Sequence, residues 1–461
     1  MTVFTNVPLD QLRPGMEAET RRVCLADDFY VFANASGNLN PLHLPREDGD
    51  GDGIPEAVAP SMWVAALISS VLGNQLPGPG TLYCAQSLRF VGRAHAGDEL
   101  IATVTVTEVG DDGVVTLATR VCHTDGTVVV EGEAEVKAPL KPQTFHADDI
   151  PGLTVQRHAH FDALIERSEA LDPIPTAVVA PEGQNSLGGA LLGREHTLIT
   201  PILVGDADAI RKAADEMGAD ISDLEIVHEP DHAAAARRAV ALVHEGRARA
   251  LMKGRLHTDV MLSAIVKREG GLRTARRLSH VFVMDVPGLP HLLMISDAAI
   301  NITPDLETKV DITQNAIDLA HALGIAEPKV GILSAVETVN PRIPSTLDAA
   351  ALAKMSERGQ ITGALVDGPL AMDNAIDLAA ARTKGITSAV AGRAEILIVP
   401  NLESGNMLAK ELTFVAHAEA GGIVIGAQVP IILTSRADDD KARLASCAIA
   451  ALYAARGRSL A

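Results

Sequence analysis

At 461 residues the chain has room for two to four domains of about 150 residues each. Hydrophobic residues make up 47% and charged residues 21%, a composition that argues against disorder. Asp and Glu outnumber Lys and Arg by 59 to 39, a net charge of −20, and aromatics are 3%. That balance argues against nucleic acid and anionic membranes as partners, and an anionic substrate would need local positive charge.

The N-terminal MTVFTNVPLDQLRPGM has no basic start followed by an apolar run, so no export signal is expected. The longest apolar stretch, Met62 to Gly73, falls short of the roughly 20 residues that span a bilayer. Cys24, Cys84, Cys122 and Cys447 form no C-x-x-C pair, and reduced thiols in a cytoplasmic protein are expected. PSMWVAALISSVLGNQL (Pro60 to Leu76) reads as a helix apolar nearly all round, which other structure must wrap. From Thr81 to Ala138 the pattern alternates with period two, broken by the turn signals GDDG and TDG, and predicts an antiparallel meander. One buried helix and such a sheet fit an α+β domain over residues 1–140. A proline-marked stretch at 141–160 reads as a linker. From Thr176 onward short apolar strands alternate with amphipathic helices, so residues 161–461 are expected to form an α/β unit with parallel sheet, in two lobes with a cleft between them.

Within the first domain, DDFYVFANASGNLNPLHLP carries Phe32, Ala33, Ser36, Gly37, Asn40, Pro41 and His43 in the order F-A-x-x-S-G-D-x-N-P-x-H. This segment resembles the signature of the MaoC-like enoyl-CoA hydratases, and the resemblance implies the hotdog fold over residues 1–140. In that family an Asp and a His activate the water that adds to an enoyl-CoA. Here the aspartate position is Asn38, and an amide does not act as a base. At the start of the buried helix the family's His-Gly is replaced by Pro60 and Ser61, and Ser61 would crowd a thioester at the helix terminus. An active hydratase and a degenerate domain kept for CoA-ester binding or dimerisation both remain open, the latter preferred.

In the second unit five segments have the composition of strand-end loops, where helix N-termini gather anions. They are LMKGRLHTD, MISDAAINITPD, LVDGPLAMDNA, VPNLESGNMLAKEL and IILTSRADDDKAR. Together they resemble the phosphate acetyl/butyryl transferase family over about residues 160–461, and K-G-x-x-x-T at Lys253, Gly254 and Thr258 points to its butyryltransferase branch. The hotdog-plus-transferase order is similar to bifunctional enoyl-CoA hydratase/phosphate acetyltransferases. The resemblance implies the reaction acyl-CoA plus phosphate giving acyl phosphate plus CoA. It assigns the Ser435 hydroxyl to the tetrahedral oxyanion and Arg436 to the phosphate. Lys253, Thr258, Asp297, Asn301, Asp367, Asn401, Glu403 and Asn406 are candidate substrate-binding groups. Asp438, Asp439 and Asp440 follow the Ser-Arg pair, and the spacing does not select which of them handles the thiol proton.

Three patterns are set aside. Asp48-Gly-Asp50-Gly-Asp52-Gly53 imitates a calcium loop, but the twelfth position is Ala59. HEPDH (His228 to His232) matches H-E-x-x-H by letter, yet Pro230 breaks the helix that pattern needs. PGPG at Pro77 and GGIVIG at Gly421 lack dinucleotide spacing. The expected protein is a cytoplasmic homo-oligomer acting on acyl-CoA and inorganic phosphate, with no metal or redox cofactor. The alternatives are a chain that is chiefly an enoyl-CoA hydratase and a non-catalytic acyl-CoA-binding scaffold.

Overall fold

A computed structural model describes residues 3–44, 57–110, 112–146, 155, 158–433 and 440–459. The chain divides into two compact units, Met1–Val155 and Gln156–Ala461.

In the first unit a short pair, β1 (Val3–Thr5) and β7 (Thr144–His146), runs antiparallel. Part of the stretch read as a linker is therefore strand. The main sheet comprises β2 (Glu17–Val23), β3 (Leu82–Phe90), β4 (Glu99–Val109), β5 (Val114–His123) and β6 (Val128–Lys137). Its order is β2-β4-β5-β6-β3, antiparallel throughout. Period-two alternation sends Leu100, Ala102, Val104 and Val106 of β4, and Val115, Leu117 and Val121 of β5, to one face. There they pack on Val64, Ile68, Val71 and Leu72 of the helix Ser61–Asn74. The predicted wrapping is incomplete: Met62 is 57% exposed, and Ala66 and Ser69 on the same stripe are exposed too. One sheet face covers one side of a helix, and the opposite stripe stays bare within this unit. Trp63 meets Phe29 edge to face, with ring centroids 5.3 Å apart.

The second unit is built on one sheet of eleven strands. In chain order these are β8 (Ile174–Val179), β9 (Ile199–Gly205), β10 (Glu225–His228), β11 (Ala250–Lys253), β12 (Ser279–Asp285), β13 (Leu293–Ser296), β14 (Lys329–Leu333), β15 (Leu365–Leu370), β16 (Ile396–Ile398), β17 (Glu419–Ile425) and β18 (Ile431–Ile432). The sheet order is β10-β9-β8-β11-β18-β17-β12-β13-β16-β14-β15. Five strands, β10 to β18, are mutually parallel, as are the last four, β13 to β15. Between them β17 is antiparallel to both β18 and β12, and β12 is antiparallel to β13. The two expected lobes thus share one sheet. Three reversals between the parallel groups make their carboxyl ends leave at opposite edges. GGIVI lies inside β17, and LVDGPL is itself β15 rather than a loop.

Burial sorts the thiols. Cys24 and Cys447 are buried, and that burial pushes both pKa values up to about 12, while Cys84 is exposed and Cys122 half-buried. At pH 8 a thiol reagent is expected to modify Cys84 in the native protein and to reach Cys24 and Cys447 only in denaturant. Four fast-reacting native thiols, read by mass, would contradict this packing.

Candidate active site

At the carboxyl edge of the first parallel group, β8 runs into Ala180, which has a positive φ of 52°, and then into Pro181, Glu182 and Gly183 before the helix Gln184–Glu195. Gly183 caps that helix without a side-chain bond. Next along the edge, β11 ends at Lys253, and the following N–H groups continue its pairing: Gly254 donates to the Val179 carbonyl at 2.8 Å and Arg255 to that of Ala180 at 2.7 Å. Thr258 then opens the helix Thr258–Ile265. After β18 the chain resumes as the helix Asp440–Ser459.

These elements surround a cavity of about 610 Å³ whose walls carry Lys212, Lys253, Arg255 and Arg443 against Glu182 and Glu216. Four cations to two carboxylates is a local reversal on a chain of net charge −20. Glu182 is tied down at the rim. One oxygen accepts from the Asp206 N–H at 3.0 Å, and the other lies 3.0 Å from His232 Nε2. His228 ends β10, and its Nδ1 accepts from the Ala207 N–H at 3.1 Å. The two histidines of HEPDH therefore sit on a strand and on the helix after it, capped by Asp231, and not on one helix.

Of the residues singled out from the sequence, Lys253 lines this cavity and Thr258 begins the helix beyond it. Ser435, Arg436, Asp438 and Asp439 lie outside the described residues, as do Asp48, Asp50 and Asp52. Asp440 is the first residue of its helix and accepts from Arg443 at 3.0 Å.

Strand direction divides the five segments between the two edges of the sheet. Asp297, Asn301, Asn401, Glu403 and Asn406 follow β13 and β16, which end at the other edge, and Asp367 lies within β15. Several of these groups are occupied in shaping their own loops. Asp297, 2% exposed, accepts from the N–H groups of His280, Ala299, Ile300 and Asn301 and from Asn301 Nδ2. Asn301 also donates to the Leu278 carbonyl. His280 beside it is buried with its pKa pushed down to about 4, burial outweighing the pull of Asp297. Asn401 caps the helix Leu402–Phe414 through the Ser404 N–H. Asn406 donates to the Ala298 carbonyl at 3.4 Å, Glu403 is exposed, and Asp367 accepts from the adjacent Gly368 N–H.

Sequence reading missed the Glu182–Gln184 turn, Arg255 and Arg443. The turn follows the strand TAVVAP and opens a helix, the same strand-end signal that found Lys253. Arg443 gave no such signal, because it lies within the helix Asp440–Ser459 and not at a strand end.

In the first unit His43 is 9% exposed, with Nδ1 2.8 Å from the Val58 carbonyl. A carbonyl only accepts, so Nδ1 carries the proton and a neutral ring keeps Nε2 as a base. Asn38 is exposed: its N–H donates to Ser36 Oγ and its side-chain oxygen accepts from the Asn40 N–H at 3.3 Å. Ser61 is exposed in the first turn of its helix.

The fold and cavity define an α/β unit with a cation-lined cavity at its strand ends, joined to an antiparallel sheet packed on one helix, the hotdog arrangement. Residues 207–451 match the family described as "Phosphate acetyl/butaryl transferase" and residues 11–127 the "MaoC like domain". The chain belongs to the phosphate acetyl/butyryl transferase family and carries a MaoC-like domain ahead of it. It is 60% identical over 299 residues to a phosphate acetyltransferase of Rhizobium meliloti, covering 65% of this chain and 95% of that one. It is 43% identical over 294 residues to a phosphate butyryltransferase of Clostridium acetobutylicum, covering 64% and 98%. A branched-chain phosphotransacylase from Enterococcus faecalis V583 superposes with a TM-score of 0.54 at 31% identity, over 61% of this chain and 99% of that one. Butyryltransferases at 43–44% identity fall between acetyltransferases at 60% and 38%, so identity to these relatives assigns the chain to neither branch.

Proposed function

We propose that this chain moves a short acyl group between CoA and inorganic phosphate. The observation that carries the proposal is the cation-rich cavity at the strand ends of the family-matched unit, on a chain whose overall field repels anions. In the forward step a phosphate oxygen attacks the thioester carbonyl carbon and a C–O bond forms. The tetrahedral oxyanion collapses, the C–S bond breaks, and the thiolate of CoA leaves with its electron pair and takes a proton. No electron changes hands in this sequence, so the chemistry asks for no redox cofactor. Positioning and electrostatics supply the rate. Ser435 is assigned to the oxyanion, and Arg436 to the attacking phosphate with Lys253 nearby to offset its charge. A cytoplasmic homo-oligomer with no nucleic-acid or membrane partner remains our reading of the rest of the protein.

A second reading rests on His43. Its Nδ1–H bond to Val58 leaves a base nitrogen, as hydration of an enoyl-CoA requires, while Asn38 supplies no carboxylate to work with it. The panel that tests both measures phosphate-dependent CoA release from acetyl-, propionyl- and butyryl-CoA beside hydration of crotonyl-CoA. Release is expected, with hydration weak or absent; silence in both supports a binding scaffold. Asn38→Asp is expected to raise crotonyl-CoA hydration by at least tenfold, within the roughly 10²–10⁴ contribution of a positioned base. No gain at all would mean that the hydratase-like site lacks more than its carboxylate.

A further inference from the structure

We infer that Glu182 is a positioning residue for the transfer reaction. It holds the strand-end turn to which the segment bearing Lys253 and Arg255 is bonded, and it does so through the reach of its side chain rather than through its charge. The inference rests on the acyl-transfer reading above and gives a role to a side chain that this reading leaves unused.

The turn after β8 has an unusual backbone. Ala180 is fully buried with a φ of 52°, a conformation that costs an L-residue free energy and persists only where the surroundings hold it. Its peptide groups are held on both sides. The Ala180 N–H donates to the Val204 carbonyl of β9 at 2.7 Å, and the Ala180 carbonyl accepts from the Arg255 N–H at 2.7 Å. The backbone at Ala180 sets the direction of that carbonyl, so whatever keeps the turn folded also keeps segment 253–255 in place.

Glu182 closes the turn. From two residues beyond Ala180 it reaches over the end of β9, where Oε1 accepts from the Asp206 N–H at 3.0 Å. Oε2 lies 3.0 Å from Nε2 of His232, the first residue of the helix His232–His244. A carboxylate only accepts, so the proton of that second bond is on His232. β9 makes room for the arm: a Cβ on Gly205 would stand 3.0 Å from Glu182 Oε1 and 3.2 Å from Ala180 Cα. The next corner is cross-tied in the same manner, with the Ala207 N–H donating to His228 Nδ1 and the Glu229 N–H to the Gly205 carbonyl. One side chain thus joins the turn after β8 to the corners after β9 and β10. Glu182 stands in the cavity wall, but each of its oxygens is taken by a protein donor, so its part there is to hold the wall.

Substitution separates reach from charge. Glu182→Gln keeps the length: its amide oxygen accepts from Asp206 and its NH₂ donates to a neutral His232. Glu182→Asp keeps the charge and shortens the arm by one methylene, and Glu182→Ala removes both. In the full chain, kcat/KM for acetyl-CoA is expected to stay within about threefold of the parent in Glu182→Gln. It should fall about ten- to hundredfold in Glu182→Asp and Glu182→Ala, the scale on which misplaced groups lose rate. A general base would give the reverse order, with Glu182→Gln as slow as Glu182→Ala.

Amide hydrogen exchange reads the link without reference to turnover. The peptide spanning residues 253–257 should exchange faster in Glu182→Asp and Glu182→Ala, and at the parental rate in Glu182→Gln. Thermal melting checks folding, and if Glu182→Ala does not fold, Glu182→Asp against Glu182→Gln decides. Glu182→Gln slower than Glu182→Asp overturns the inference. So do lowered rates with exchange unchanged at 253–257, since the loss would then travel by another route. The expected exchange pattern in a chain whose parent shows no phosphate-dependent CoA release keeps the arm and sinks the transfer reading. Transfer by the parent, with Glu182→Asp and Glu182→Ala at the parental kcat/KM, sinks the inference alone.

Discussion

Ser435→Ala is expected to slow phosphate-dependent CoA release by about 10²–10³ in kcat, the cost of losing one oxyanion donor. In the sequence Ser435 and Arg436 stand two and three residues past Leu433, between β18 and the helix that starts at Asp440. β18 pairs parallel with β11, so the two strands end at the same edge of the sheet, the edge at which Lys253 lies. A hydroxyl that meets the oxyanion only as negative charge develops there contributes to the transition state more than to the bound substrate. The loss should therefore fall on kcat, with KM for acetyl-CoA and phosphate nearly unchanged. Arg436→Ala, by contrast, should raise KM for phosphate. Initial rates by thiol detection at varied phosphate separate the two, and an unaltered kcat in Ser435→Ala would remove that hydroxyl from the mechanism.

Local rules carried the reading of the first unit. Alternation across ELIATVTVTEV and VVTLATRVCH places inward residues correctly because one sheet face is packed and the other is not. GDDG and TDG close hairpins at Gly113 and Gly126, both with positive φ, where a glycine is favoured. The second unit was legible as α/β, but its site was only half so. Strand direction depends on pairings distant in sequence, and the reversals through β17 and β12 decide which loops share an edge. That is why Lys253 stands at the basic cavity, whereas Asp297 and Asn401 serve loops at the opposite edge. Asp367 misled for a local reason. DGP carries turn signals, but edge strand β15 pairs on one side only and tolerates proline. Arg443 was invisible because nothing in a helical sequence announces that a neighbouring glycine, Gly189, has left space for it.

The tightest local constraint on the basic cavity is a glycine, and Gly254→Ala is expected to damage stability and activity together. A Cβ at that position would lie 2.4 Å from each of the Val179 and Ala180 carbonyl oxygens. Both are backbone atoms of a strand end whose residues are fully buried, so neither can swing aside as a flexible side chain would. Relief requires parting β11 from β8 just where Gly254 and Arg255 donate to those same carbonyls. Overpacking of this kind costs about 1–3 kcal/mol, which for a unit of this size corresponds to a fall in Tm of roughly 2–5 °C. The same displacement moves Lys253 and Arg255 on either side of it, so kcat/KM for acetyl-CoA should fall at least tenfold, in line with the sensitivity of positioned groups to shifts of about 1 Å. Gly73→Ala is the control: it lies in the helix Ser61–Asn74 with nothing within 4 Å of its added Cβ, and it should leave activity unchanged and Tm no lower than that of the parent. Calorimetric melting with parallel kinetics reads both effects. A Gly254→Ala protein that melts and turns over like the parent would mean that the end of β11 is not locked to β8, and the cavity wall that positions Lys253 would lose its physical basis.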